Sequence, residues 1–148
     1  MINHPRQLTR PHYVREANGP VGAGANFVWT PPVRTHVELV SLAVTFTTSA
    51  GGATRGVRCV IGGAAAEDFN LQVPTIQAVG QTHNYYWGRG IGSYWTTLAY
   101  DYWLGTLPKG LLFAFPTQLR SEIISLNALD VIDNWTIRYR LWQDPVIL

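Results

Sequence analysis

The sequence predicts an all-β domain, a jelly roll or antiparallel β-sandwich of about eight strands, and three observations carry that prediction. Val40 to Phe46 and Trp135 to Leu141 alternate apolar and polar residues with the period of two expected of a strand with one buried side. From Asn26 onward, short β-branched and aromatic runs follow one another, separated by Gly, Pro and Asn. No stretch sustains the 3.6-residue apolar period of a helix beyond two turns, and Ala64 to Phe69 predicts one helical turn at most.

Each element has its own argument. Residues 1–24 hold Pro5, Pro11, Pro20, Gly19, Gly22 and Gly24 with few large apolar side chains, which predicts an extended arm without a core of its own, ahead of a domain over 25–148. Phe27 to Thr30 predicts a brief strand stopped by Pro31-Pro32, because proline cannot donate to a ladder. Between His36 and Thr48, Val40, Leu42, Val44 and Phe46 share one face, with Ser41, Ala43, Thr45 and Thr47 on the other. Ala50-Gly51-Gly52 turns the chain, and Arg55 to Gly62 predicts the return strand of a hairpin. Leu71 to Val79, Gln81 to Trp87, Tyr94 to Tyr100, Leu111 to Phe115 and Leu119 to Asn127 are further strand candidates. In the final strand Trp135, Ile137, Tyr139 and Leu141 face the core, and Thr136, Arg138, Arg140 and Trp142 face outward; Pro145 ends it.

A length of 148 residues accommodates one domain and not two. Only 14% of the residues are charged, against about 25% in a typical soluble domain, so much of the surface is uncharged and suited to contact with protein. A net charge of +2 is too small for electrostatics alone to argue for nucleic acid. Lys109 is the only Lys beside ten Arg, and Arg is enriched at interfaces where Lys is depleted. A single cysteine excludes an intrachain disulfide, no run is long enough for a membrane helix, and the opening residues lack the apolar stretch of a secretory signal.

The residue types that carry catalysis are poorly placed for it. Cys59 alternates with Val57 and Ile61 and belongs to a buried face, whereas a catalytic thiolate needs an accessible, electropositive setting. His4, His12, His36 and His83 are scattered and show no metal-ligand spacing, so a cupin-like metalloenzyme lacks its ligands and no cofactor is expected. Gly88, Gly90 and Gly92 precede an aromatic strand, not a helix, and predict a flexible connector instead of a phosphate loop.

The aromatic concentration invites a functional reading. Eight Tyr and Trp residues fall between Tyr85 and Trp103, and a strand can bury only alternate members. The outward remainder suits a buried protein interface or a sugar-stacking platform, with Tyr86, Trp87, Trp95, Tyr102 and Trp103 as candidates. On the arm, Arg6, Arg10, Tyr13 and Arg15 are candidate anchors that order on a partner, and the apolar C-terminus, including Val146 and Leu148, is a second such segment.

Gly24-Ala25-Asn26-Phe27-Val28-Trp29-Thr30-Pro31-Pro32, Val37-Glu38-Leu39-Val40-Ser41-Leu42 and Phe46-Thr47-Thr48-Ser49, behind the opening arm, resemble small structural proteins of tailed bacteriophages over about residues 24–62. The resemblance implies a jelly roll and a non-enzymatic virion protein made in the host cytoplasm. It implies a capsid decoration or cement protein on the outer capsid surface, a homo-oligomer that ties neighbouring major capsid subunits together. It implies no direct contact with nucleic acid or membrane. The alternative expectation is a carbohydrate- or receptor-binding module of a phage tail, with Trp87, Trp95 or Trp103 as stacking platforms.

Overall fold

A computed structural model describes residues 14–90, 94–96 and 102–143, of which Thr75 and 94–96 are described by their backbone. All regular structure in these residues is β, with no helix. The strands are β1 (Val14–Gly19), β2 (Val28–Trp29), β3 (Thr35–Thr47), β4 (Arg55–Gly62), β5 (Phe69–Gln77), β6 (Thr82–Arg89), β7 (Tyr94–Thr96), β8 (Tyr102–Leu107), β9 (Leu112–Ala114), β10 (Gln118–Ser121) and β11 (Val131–Gln143). They form two sheets, ordered β1-β11-β3-β6-β8-β7, with β9 beside the start of β3, and β2-β10-β4-β5. Every pairing is antiparallel except β6 with β8. Among the described residues eleven strands stand where about eight were expected, and Ala64-Ala65 form a turn ahead of β5, which begins at Phe69, where a helical turn was expected.

The two long strands carry the core, but one bends the expected pattern. On β11, Ile137, Tyr139 and Leu141 are buried as the alternation predicts. On β3, burial runs through Val37 and Leu39 and then switches parity to Leu42, Val44 and Phe46. The register against β11 passes from Arg138↔Ser41 to Tyr139↔Leu39, so Val40 is an extra residue on β3. This bulge leaves Val40 half-buried, and Leu39 takes the core position expected for it. Val57, Cys59, Ile61, Leu71, Val73 and Leu119 of the smaller sheet join the same cluster, so both sheets share one core.

The hairpin expected between β3 and β4 does not form. β3 is flanked by β11 and β6 on its two edges, and β4 pairs with β5 and β10 in the other sheet. The crossing is fixed by Arg55, the first residue of β4, whose side chain is fully buried against that of Asp130, just before β11. Arg55 Nε and Nη2 donate to the Asp130 carboxylate at 2.7 and 2.8 Å, and Nη2 also donates to the Gly51 carbonyl at 2.7 Å. Asp130 accepts further from the backbone N–H groups of Ser49 and Asn127, both at 2.8 Å. One ion pair therefore holds the β3–β4 and β10–β11 connections together.

Part of the predicted arm is also structured. β1 pairs all six of its residues with β11, and Ala17 packs against the core. Val21 and Gly24 then donate backbone N–H groups to Ile132 and Asp130. The composition of Val14–Gly19, with one β-branched residue among six, conceals this strand; it exists because β11 offers it a ladder. β8 was likewise not anticipated. Its Gly105 is required by packing, since a Cβ there would run into the Trp103 ring and lie 2.7 Å from Trp87 Cδ1.

Candidate functional site

The structure separates the aromatic concentration into core and surface. Tyr85, Trp87 and Trp103 are 2%, 1% and 5% exposed, so two of the three expected stacking platforms are core residues. Trp87 and Trp103 meet edge to face with centroids 5.3 Å apart, and Tyr85 stacks on Trp87 at 6.3 Å. The reason is parity: positions 83, 85 and 87 of β6 and 103, 105 and 107 of β8 point inward. Tyr86 and Tyr102 hold the intervening outward positions and are half-buried, with Leu104 paired to Tyr86 and Asn84 to Tyr102. Trp95 lies on β7 opposite Trp103, and its side chain lies outside the described residues. Burial also explains the polar chemistry beneath them. The Tyr85 hydroxyl, whose pKa burial pushes up, donates to Gln77 Oε1 at 2.8 Å, and Gln77 Nε2 donates to the carbonyls of Phe46 and Gln81.

Arg15 is exposed on β1, opposite Tyr139. Arg6, Arg10, Tyr13, Val146 and Leu148 lie outside the described residues. Val14, the first residue of β1, pairs with Arg140, and Gln143, the last of β11, pairs with Thr35, so these two strand ends lie at the end of the larger sheet where β3 begins. β9 pairs there too, placing Leu112 opposite Glu38 and Ala114 opposite His36. Val33, Leu112 and Phe115, at this end, are 65%, 58% and 50% exposed. Sequence periodicity does not mark these three as exposed, because Val33 and Phe115 lie on connections and Leu112 opens a strand of three residues, too short to show alternation.

Charge is concentrated on the outward faces. On the larger sheet Glu38 pairs with Arg89 and lies 3.8 Å from Arg140, while Glu16 and Arg138 approach to 3.2 Å. On the smaller sheet Glu122 accepts from Arg58 at 2.6 Å and forms an ion pair with Arg120 at 2.9 Å. Burial pushes the Glu122 carboxyl up, but hydrogen bonds from the two guanidiniums outweigh it and hold the group below its ordinary range. Arg120 also donates to the carbonyls of Gly63 and Ala66, at 2.8 and 3.0 Å, tying the β4–β5 connection onto the sheet. Beside it an open depression of about 420 Å³ is lined by Asn26, Val28, Ala65, Glu67, Arg120 and Glu122, among others. These charges are paired with one another and leave no isolated cation or carboxylate there to hold a charged ligand.

Among the described residues no three His, Cys, Asp or Glu side chains come together as a metal site. Cys59 is fully buried, and burial alone pushes its thiol far up, away from the thiolate range. A thiol reagent is therefore expected to label Cys59 at the rate of global unfolding; labelling of the folded protein within minutes at neutral pH would contradict the burial. No helix among the described residues is long and apolar enough to cross a membrane. No protein-family model matches the chain, and neither a curated protein nor a solved structure matches it.

Proposed function

We propose that the chain is a jelly-roll structural protein of a phage virion, a non-enzymatic capsid decoration or cement protein that sits on the outer capsid surface and binds the major capsid protein and itself. The jelly-roll reading is supported by the nesting of four antiparallel pairs: β1 with β11, β2 with β10, β3 with β6, and β4 with β5. Four early strands meet four later ones in reverse order, as in a long hairpin rolled up on itself. β7, β8 and β9 are then additions within the connection from β6 to β10.

The observation that carries the capsid reading is the convergence at one end of the molecule. The start of β1 and the end of β11 lie there, and Val33, Leu112 and Phe115 expose apolar surface there. The segments beyond hold Arg6, Arg10 and Tyr13 on one side and Val146 and Leu148 on the other, which are Arg, aromatic and aliphatic anchors of the kind that dominate protein interfaces. Ile76, Ile124 and Leu129 expose apolar surface at the other end, near the start of β4, but the end where β1 starts and β11 stops is the one next in sequence to the arm and tail residues, and it is the end read as the attachment point. The burial of Trp87 and Trp103 removes the support that a sugar-stacking reading drew from them.

The test uses shells of the cognate major capsid protein. Added protein is expected to bind them and raise their melting temperature by mass action. Leu112→Asp combined with Phe115→Ser, both at exposed positions, is expected to abolish the shift while leaving the melting of the protein itself nearly unchanged. No shift at saturating wild-type protein ends the proposal.

A further inference from the structure

An exposed strand edge presents unpaired backbone groups that natural proteins protect by shortness, proline, a bulge or charge. Among the described residues five strands have an open side, β1, β7 and the three-residue β9 in the larger sheet and β2 and β5 in the smaller. β2 has two residues and β7 has three. β5 is long but carries Pro74 and a register shift opposite Gly56 and Arg58. β1 differs from all of them. It has six residues in unbroken register with β11, without proline or bulge, and no strand pairs with its other side among the described residues. The protection it carries is charge, from Arg15 and Glu16, and charge selects among partners instead of excluding all of them.

We propose that β1 pairs with β1 of a second copy of this chain, antiparallel about a two-fold axis centred on Ala17, joining the two larger sheets into one. The inference rests on the self-association part of the capsid reading, but its test needs no capsid. A two-fold axis perpendicular to the sheet keeps outward residues outward, so the outward set Val14, Glu16 and Asn18 can meet only its own members. An axis on Arg15 sets two arginines opposite each other, and an axis on Glu16 sets two glutamates opposite each other; like charges directly opposed destabilise a pair. An axis on Ala17 opposes Glu16 to Asn18 twice, Arg15 to Gly19 twice, and two small alanines at the centre. Moving the axis further, to Asn18, leaves only about three residues per strand to pair. Within β1, the Ala17 register is the one that pairs most of the strand without a like-charge clash.

Sedimentation of the full chain tests this across a wide concentration range. A concentration-dependent dimer is expected. Asn18→Glu opposes two carboxylates to Glu16 and is expected to weaken the dimer about tenfold, while Asn18→Lys strengthens it by a similar factor. Asn18 is exposed, lies across from the neutral Thr136 and donates to Glu16 Oε1 of its own strand at 3.1 Å; this surface bond is lost in both variants alike, so a dimer that responds oppositely to Glu and Lys reports the contact between copies. A17C is expected to cross-link under mild oxidation, because directly opposed residues have Cα atoms about 4.5–5.5 Å apart, within disulfide reach. Cys59, fully buried, does not compete. A chain that stays monomeric at millimolar concentration, or a dimer indifferent to the sign of the charge at position 18, overturns the proposal. Failure of capsid binding with the dimer intact overturns the capsid reading instead.

Discussion

Asp130→Ala is expected to lower the midpoint of thermal unfolding by on the order of 10 °C, because it leaves the Arg55 guanidinium buried without its counter-charge. Both side chains are fully buried, and four hydrogen bonds, two from Ser49 and two from Arg55, tie residues 49–55 to the Asp130 carboxylate. The loss exceeds that of one contact, since the β3–β4 crossing and the approach to β11 are released together. Asp130→Asn is the sharper test. It retains shape and some hydrogen bonding but not charge, and is expected to cost nearly as much. A midpoint unchanged by either substitution contradicts this account.

The same clasp fixes the acid limb of stability. The hydrogen bond from Arg55 holds the Asp130 carboxyl well below its ordinary value of 3.8; burial opposes this, and the N–H groups of Asn127 and Ser49 add to it. A group whose folded pKa is depressed contributes stability that is present above the unfolded value and is lost as pH falls through the folded one. The gap between wild type and Asp130→Asn is thus expected to stay constant from pH 7 to about 5 and to narrow below about 4. Thermal melts of both proteins across that range measure it.

Local pattern reveals part of this molecule and hides the rest. β11 was legible because its four inward residues alternate without interruption, and β4 because Val57, Cys59 and Ile61 do. Val40 shows the limit. A bulge reverses parity inside a strand, and the alternation from 40 to 46 continues past it with no mark, since Leu39 and Val40 are both apolar. β1 was hidden for another reason: Val14–Gly19 reads as arm because its ladder comes from a partner strand more than a hundred residues away. The clasp is equally nonlocal, as nothing near Arg55 or Asp130 in the sequence announces the other. The arm and tail anchors expected from composition, Arg6, Arg10, Tyr13, Val146 and Leu148, lie outside the described residues, whereas the grouping of Val33, Leu112 and Phe115 became visible only once β9 was seen beside β3.

Trp87→Ala separates core from platform most directly. It is expected to destabilise the protein by about 3–5 kcal/mol, the range for removing a large buried aromatic, out of a total of roughly 5–15 kcal/mol for a domain. The ring is 1% exposed, sits between Tyr85 and Trp103, and closes over Gly105, so neighbours already locked by one another cannot collapse into the space it leaves. Urea titration is expected to show the midpoint falling with an unchanged slope. Tyr86→Ala, one residue along and on the outward face, is expected to cost about 1 kcal/mol or less. A stacking platform requires the opposite order, with position 87 nearly silent in stability because its ring faces solvent. The ranking of these two neighbours therefore reports which face of β6 the core occupies, and a Trp87→Ala protein as stable as wild type contradicts the packing of Trp87 against Trp103 and Gly105 of β8.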